Sequence, residues 1–211
     1  MEGAPTPPAP PPEPPAYDPV AEAAAYPVRG DVDHQEEYTR FLPLVKWLLA
    51  IPHAIVLVFL GIGAIFAIFV AAFVVLFTGR YPRGIFDYVA GVYRWAWRFS
   101  AYLLLMVDPY PPFSLGEHPE YPARIEIEYP GEMDRWRPFV QWLLAIPVLF
   151  IAGILRNLSQ LLALFALFTI MFTKRYPRGM FELAKVGMKW NLRANSYAYF
   201  LVTRYPPFVW A

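Results

Sequence analysis

No constellation of side chains for acid–base, nucleophilic or metal chemistry stands above background in this chain. There are three histidines, His34, His53 and His118, and no cysteine among 211 residues. The histidines share no ligand spacing, and none belongs to a His-x-x-x-His pair. No Gly-rich phosphate loop, Gly-x-Ser-x-Gly elbow or carboxylate pair is present. The lack of cysteine excludes disulfides, thiol catalysis and thiolate-held metals, and leaves the redox compartment open. The expectation is a protein that is not an enzyme and carries no cofactor or metal. His53 stands alone in an apolar stretch, where an ionisable group is a functional candidate by default. It follows Pro52 near the start of that stretch, which points to a structural histidine over a proton-handling one.

The other chemistry on offer is cationic. Arg80-Tyr81-Pro82-Arg83-Gly84 recurs as Arg175-Tyr176-Pro177-Arg178-Gly179, and each motif is followed by further basic residues, Arg94 and Arg98, then Lys189 and Arg193. One reading is anchoring, with arginines meeting lipid phosphates and tyrosines at the headgroup level. The sharper reading is a pair of anionic-lipid headgroup sites, one per copy. Arg83 and Asp87, like Arg178 and Glu182, are four residues apart and suited to pairing on a helix. The aromatic residues Tyr81, Trp95, Tyr110, Tyr176, Trp190 and Tyr205 are expected at the interface.

Composition favours a lipid setting for this chemistry. The chain is 57% hydrophobic and 17% charged, against about 25% charged for ordinary soluble domains. From Trp47 to Phe77 no residue carries a formal charge, and Gln141–Leu155 and Leu161–Thr173 are also uncharged. Apolar runs longer than about 18 residues read as membrane spans. A net charge of +1 gives no case for nucleic-acid binding. No basic region followed by an apolar segment opens the chain, so the first apolar helix is expected to direct insertion.

The elements that must position these residues come as an internal repeat. Shifted by 95, residues 26–113 align with 121–208 without a gap, and 32 of the 88 positions are identical. Duplication is the only reading of that similarity. The organisation is a Pro-rich tail over 1–25, one unit over 26–115 and a second over 121–211. Nine of the first twenty residues are proline, which predicts an extended, disordered tail; a groove-binding partner is the alternative.

Each unit divides into four parts. Arg124-Ile125-Glu126-Ile127-Glu128 alternates with the strand period, and its counterpart has Asp31-Val32-Asp33; the two segments are suited to pairing with each other. The long apolar segment follows, with Gly61-Ile62-Gly63 at its midpoint in one copy and Arg156-Asn157-Leu158-Ser159-Gln160 in the other. Both midpoints read as turns, so each segment is expected to be a helical hairpin, with Arg156 at a surface tip. Next comes a helix opened by Pro82 or Pro177, with a charged stripe and aromatic flanks that suit an interfacial amphipathic helix. Tyr-Pro-Pro-Phe ends each unit. Basic residues beside the hairpins favour the cytoplasmic side, which requires an even number of crossings per unit and places both termini in the cytoplasm.

The run Arg80-Tyr81-Pro82-Arg83-Gly84-Ile85-Phe86-Asp87, with Arg94-Trp95, Arg98, Ala101-Tyr102 and Asp108-x-Tyr110-Pro111-Pro112-Phe113, resembles a bacterial membrane family catalogued as domain of unknown function 4389. The resemblance extends over both copies, with Thr203 in place of Asp108 and Met188 in place of Tyr93. It implies fold and location, not activity. The expectation is an all-α integral membrane protein of two tandem repeats, each a short strand, an apolar helical hairpin and an amphipathic interfacial helix. It would reside in the bacterial cytoplasmic membrane as a multi-pass accessory subunit or scaffold, against a membrane-protein partner or a second copy of itself. The alternative function is anionic-lipid binding or transport through the paired arginine motifs.

Overall fold

The computed structural model describes residues 18–209. Most of the Pro-rich tail therefore lies outside the described residues, but its last part does not follow the expectation of disorder. Pro19–Ala24 forms a short helix, α1, capped by the Asp18 carboxylate, which accepts from Ala21 N–H at 3.2 Å. Arg204 ties it down through Glu22 at 3.3 Å.

Strand β1 (Val28–Val32) and strand β2 (Ala123–Ile127) pair antiparallel, as their alternation suggested. Val28, Val32, Ala123, Ile125 and Ile127 face inward, while Arg29, Arg124 and Glu126 face out. In the register Gly30 lies opposite Ile125, the same position in the two repeats. Equivalent residues meet only on a twofold axis, so a pseudo-twofold passes through this pair. Other contacts obey it. Tyr38 N–H donates to Lys174 O at 2.9 Å, and Met133 N–H to Gly79 O at 2.9 Å. Asp33 N–H donates to Pro122 O and Glu128 N–H to Pro27 O, at 2.8 and 2.9 Å.

The apolar segments are not hairpins. Each is one helix of 37 residues, α2 (Leu42–Thr78) and α4 (Arg137–Thr173), about 55 Å long at 1.5 Å per residue. The two-pass topology inferred from hairpins falls with them. Glycine inside a helix costs only about 1 kcal/mol against alanine, whereas breaking the helix among apolar side chains strands several backbone groups without partners. Gly63 serves packing: a Cβ there would lie 2.6 Å from the Tyr88 hydroxyl, which donates to Leu60 O. Around Arg156 the polar residues are ordinary helix formers, and Ser159 spends its hydroxyl on Leu155 O and Ala184 O. Both helices end on a left-handed residue, Gly79 at φ 72° and Lys174 at φ 58°.

Helices α3 (Arg83–Leu103) and α5 (Arg178–Ala198) begin after Pro82 and Pro177, as expected. Each folds back antiparallel along the long helix before it. The residues α2 buries, Pro43, Lys46, Ala50, His53, Ala64, Ala71 and Val75, recur at steps of three, four or their sums, which is one narrow seam along its length. Helix α4 repeats the seam with Gln141, Ala145, Val148, Ala152, Leu155, Ser159, Ala163, Ala166 and Ile170. The layers follow: β1 packs on α5 and β2 on α3, and α3 and α5 pack on α2 and α4. Each unit lends its strand to the other unit's helix. On the axis, Trp97 and its equivalent Leu192 close over Gly30, where a Cβ would meet both at 2.9 Å.

Two substitutions test this account. Gly61→Ala, where a Cβ meets nothing, is expected to leave stability unchanged or raise it by about 0.5–1 kcal/mol, because the site is mid-helix and not a turn. Gly30→Ile copies the residue opposite yet is expected to cost about 1–3 kcal/mol by overpacking Trp97. Thermal unfolding of the detergent-solubilised chain measures both.

Candidate functional site

The most extensive feature of the molecule is an exposed apolar surface. Only 11% of the most apolar stretch of α2 and 33% of that of α4 is buried, so neither helix is enclosed by the rest of the chain. Both are long and apolar enough to cross a membrane. Away from the seam, α2 exposes Phe59, Phe66, Phe69 and Phe77, and α4 exposes Phe150, Leu164, Phe168 and Phe172. The opposite side of the molecule is charged. On the outer face of the sheet, Arg29 pairs with Glu126 and Glu128 at 3.3 and 3.0 Å, and Arg124 with Asp33 at 2.8 Å. The twofold relates two antiparallel helices whose ends are level with each other, so it crosses them near mid-length. The charged sheet therefore sits over the middle of the long helices, with α3 and α5 between.

The basic residues singled out by the sequence are not gathered at one place. Arg80 and Arg175 lie at opposite ends of the paired long helices. Arg80 is held by Glu132, Arg83 lies 3.6 Å from Asp87 and over the Tyr129 ring, and Arg94 pairs with Glu117 at 3.0 Å. Arg98 is buried and donates to the carbonyls of Ser114 and Gly116. Arg193, its equivalent, is buried over the Tyr26 ring. Burial lowers the pKa of both guanidinium groups, and it lowers that of the Lys189 ammonium as well. Arg175 and Arg178 are exposed.

The aromatic residues sort differently from expectation. Tyr81, Trp95, Tyr176 and Trp190 are buried in the protein, and Tyr205 is half-buried; Tyr110, at 43%, is exposed. The helix wheel of α3 could not show that its aromatic flanks face other elements. Among the described residues the exposed tryptophans are Trp47, Trp136 and Trp142, all near the starts of α2 and α4. Their place beside apolar runs was the signal available in the sequence.

His53 sits in an aromatic box, stacked on Phe113 at 3.9 Å between ring centres, with Trp95 and Tyr110 around it. Trp95 Nε1 donates to His53 Nδ1 at 2.9 Å. An indole N–H only donates, so Nδ1 is unprotonated and the ring is the neutral Nε2–H form. The second copy places Val148 there, and Trp190 donates instead to Val209 O. Among the described residues no cluster of three metal-ligating side chains occurs.

The departure at Thr203 has a local cause. Lys46, fully buried, donates to Val107 O at 2.6 Å and pairs with Asp108 at 2.9 Å. The second copy has Gln141 for Lys46 and Thr203 for Asp108, and Gln141 donates to Val202 O at 2.6 Å. A neutral amide reaches the equivalent carbonyl, and the carboxylate that balanced the lysine has gone with the lysine.

Comparison with known proteins places these features in a family. The family model described as Domain of unknown function (DUF4389) matches residues 43–114 and again residues 135–209. No curated protein and no solved structure matches the chain.

Asp108→Ala is expected to destabilise the chain by about 3 kcal/mol, because it leaves the Lys46 ammonium buried without a counter-charge. The double variant Lys46→Gln/Asp108→Thr, which imitates the second copy, is expected to recover most of that loss. A thermal-unfolding cycle over the four proteins measures the coupling.

Proposed function

Because the chain belongs to the DUF4389 family, as two tandem copies, and that description assigns no activity, we propose its role from its own geometry: a non-enzymatic membrane scaffold, inserted into one leaflet. The observation that supports this is the pairing of a 55 Å apolar face with a charged sheet centred behind it. If α2 and α4 crossed the bilayer, the sheet would be carried to its midplane with Arg29, Arg124, Glu126 and Glu128. Ionised groups there cost several kcal/mol each. The helices are also nearly twice as long as the roughly 30 Å hydrocarbon core. Laid in the membrane plane, a layer one helix thick, about 10 Å, fits within a single leaflet. The twofold then runs along the membrane normal. Helices α3 and α5 lie at the headgroup level and the sheet faces water.

This orientation meets the charge rule that motivated the expectation of even crossings. Both Arg-Tyr-Pro-Arg-Gly motifs come to the same surface, the cytoplasmic one by their basic character, with no crossing at all. The water-facing sheet and loops are the surface on which a partner complex would dock, which is the accessory-subunit reading. Anionic-lipid binding through the basic motifs is a second reading, favoured by the exposure of Arg175 and Arg178 at one end of the apolar face.

The chain has no cysteine, and Gly84 and Gly179 are exposed equivalents where a Cβ meets nothing. Gly84→Cys and Gly179→Cys, each alone, are expected to react with an impermeant thiol reagent from the same side of sealed membrane vesicles. One reacting from each side would show that the helices cross and would overturn the reading.

A further inference from the structure

A cleft of about 530 Å³ lies where the start of α2 and the C-terminal half of α3 meet the middles of α4 and α5. That is the volume range of small-molecule sites. Its lining runs along α4 from Arg156 to Leu167, a rise of about 16 Å. The ends differ in chemistry. Arg156, Gln160 and Asn191 line one end, and Leu164, Leu167 and Trp47 the other.

Arg156 is the one charged residue between Pro138 and Thr173, and it makes no hydrogen bond or ion pair with any described residue. Lys46 also lines the cleft but is already engaged by Asp108 and Val107 O. The single cation available to a ligand therefore stands at the polar end. A guanidinium beside apolar surface needs a counter-anion, and the described residues supply none. Across the pseudo-twofold the equivalent positions differ in both respects. Gly61 replaces Arg156, and Tyr199 and Phe200 replace Leu104 and Leu105 of the cleft lining. The cation stands on one side of the pseudo-twofold only.

We propose that this cleft binds an anionic amphiphile, its carboxylate or phosphate on Arg156 and its acyl chain along Leu164 and Leu167 towards Trp47. Gln160 and Asn191 supply further polar groups to the head. The proposal rests on the membrane reading for the source of the ligand, since a protein held in one leaflet draws amphiphiles from it. Binding itself is read in detergent and does not depend on how the helices are oriented.

The test uses the full chain, purified in neutral detergent and stripped of lipid, titrated separately with oleate, phosphatidylglycerol and uncharged monoolein. Native mass spectrometry gives the stoichiometry and thermal unfolding the affinity. One equivalent of an anionic amphiphile is expected to bind and raise the unfolding temperature. Arg156→Gln, which removes no hydrogen bond or ion pair among the described residues, is expected to weaken binding about tenfold or more, and Arg156→Lys to keep most of it. Ala96→Phe, in the cleft wall, is expected to block binding with the arginine intact. Oleate alone binding identifies a fatty carboxylate, phosphatidylglycerol alone a phospholipid phosphate, and both support the proposal. Monoolein binding as tightly as oleate, equal affinity in Arg156→Gln, or no binding at all would overturn it. The thiol-labelling result distinguishes failure of the membrane reading from failure of this site.

Discussion

The structure depends on one short contact, the antiparallel pairing of β1 and β2 about Gly30 and Ile125. Each strand is only five residues long, too little to stand alone. It holds because each strand lies on the other unit's amphipathic helix, and because Trp97 and Leu192 close over Gly30. The pairing fixes the twofold, and the twofold makes α2 and α4 antiparallel. Everything apolar then falls on one side and the exchanged charge pairs on the other.

That division is a consequence of how little the long helices bury. Each offers its partners a seam of small residues, Ala64, Ala71, Ala145, Ala152 and Ala166 among them, which lets α3 and α5 approach closely. The large side chains, Phe59, Phe77, Phe150 and Phe172, are left outside. In a water-soluble protein the opposite distribution would be favoured, because burying a phenylalanine contributes about 1.5–3 kcal/mol. Several of the few polar groups inside reach backbone carbonyls: Lys46 and Gln141 bond equivalent oxygens, and Arg98 holds the 114–116 loop. Lys46 and Arg98 thus fasten the segments that follow α3 to helices α2 and α3. Arg156, which has no such task, stands where the two copies have diverged.

The sequence by itself determined the duplication, the two apolar runs and the helices opened by Pro82 and Pro177, because these follow from local period and from identity at a fixed shift; it suggested the pairing of the short strands, which the register then established. It also marked His53 and the Thr203 departure as places to look. It misplaced the turns at Gly61 and Arg156, since a glycine pair and a polar cluster have the same local signature whether a helix stops or merely packs against a tyrosine or a carbonyl. Only the tertiary structure decided that Tyr81, Trp95, Tyr176 and Trp190 are core, that Arg98 and Arg193 turn inward, and that Arg156 faces a cleft. Those outcomes rest on contacts between residues far apart in the chain, and a helix wheel shows which residues share a face without showing what that face meets.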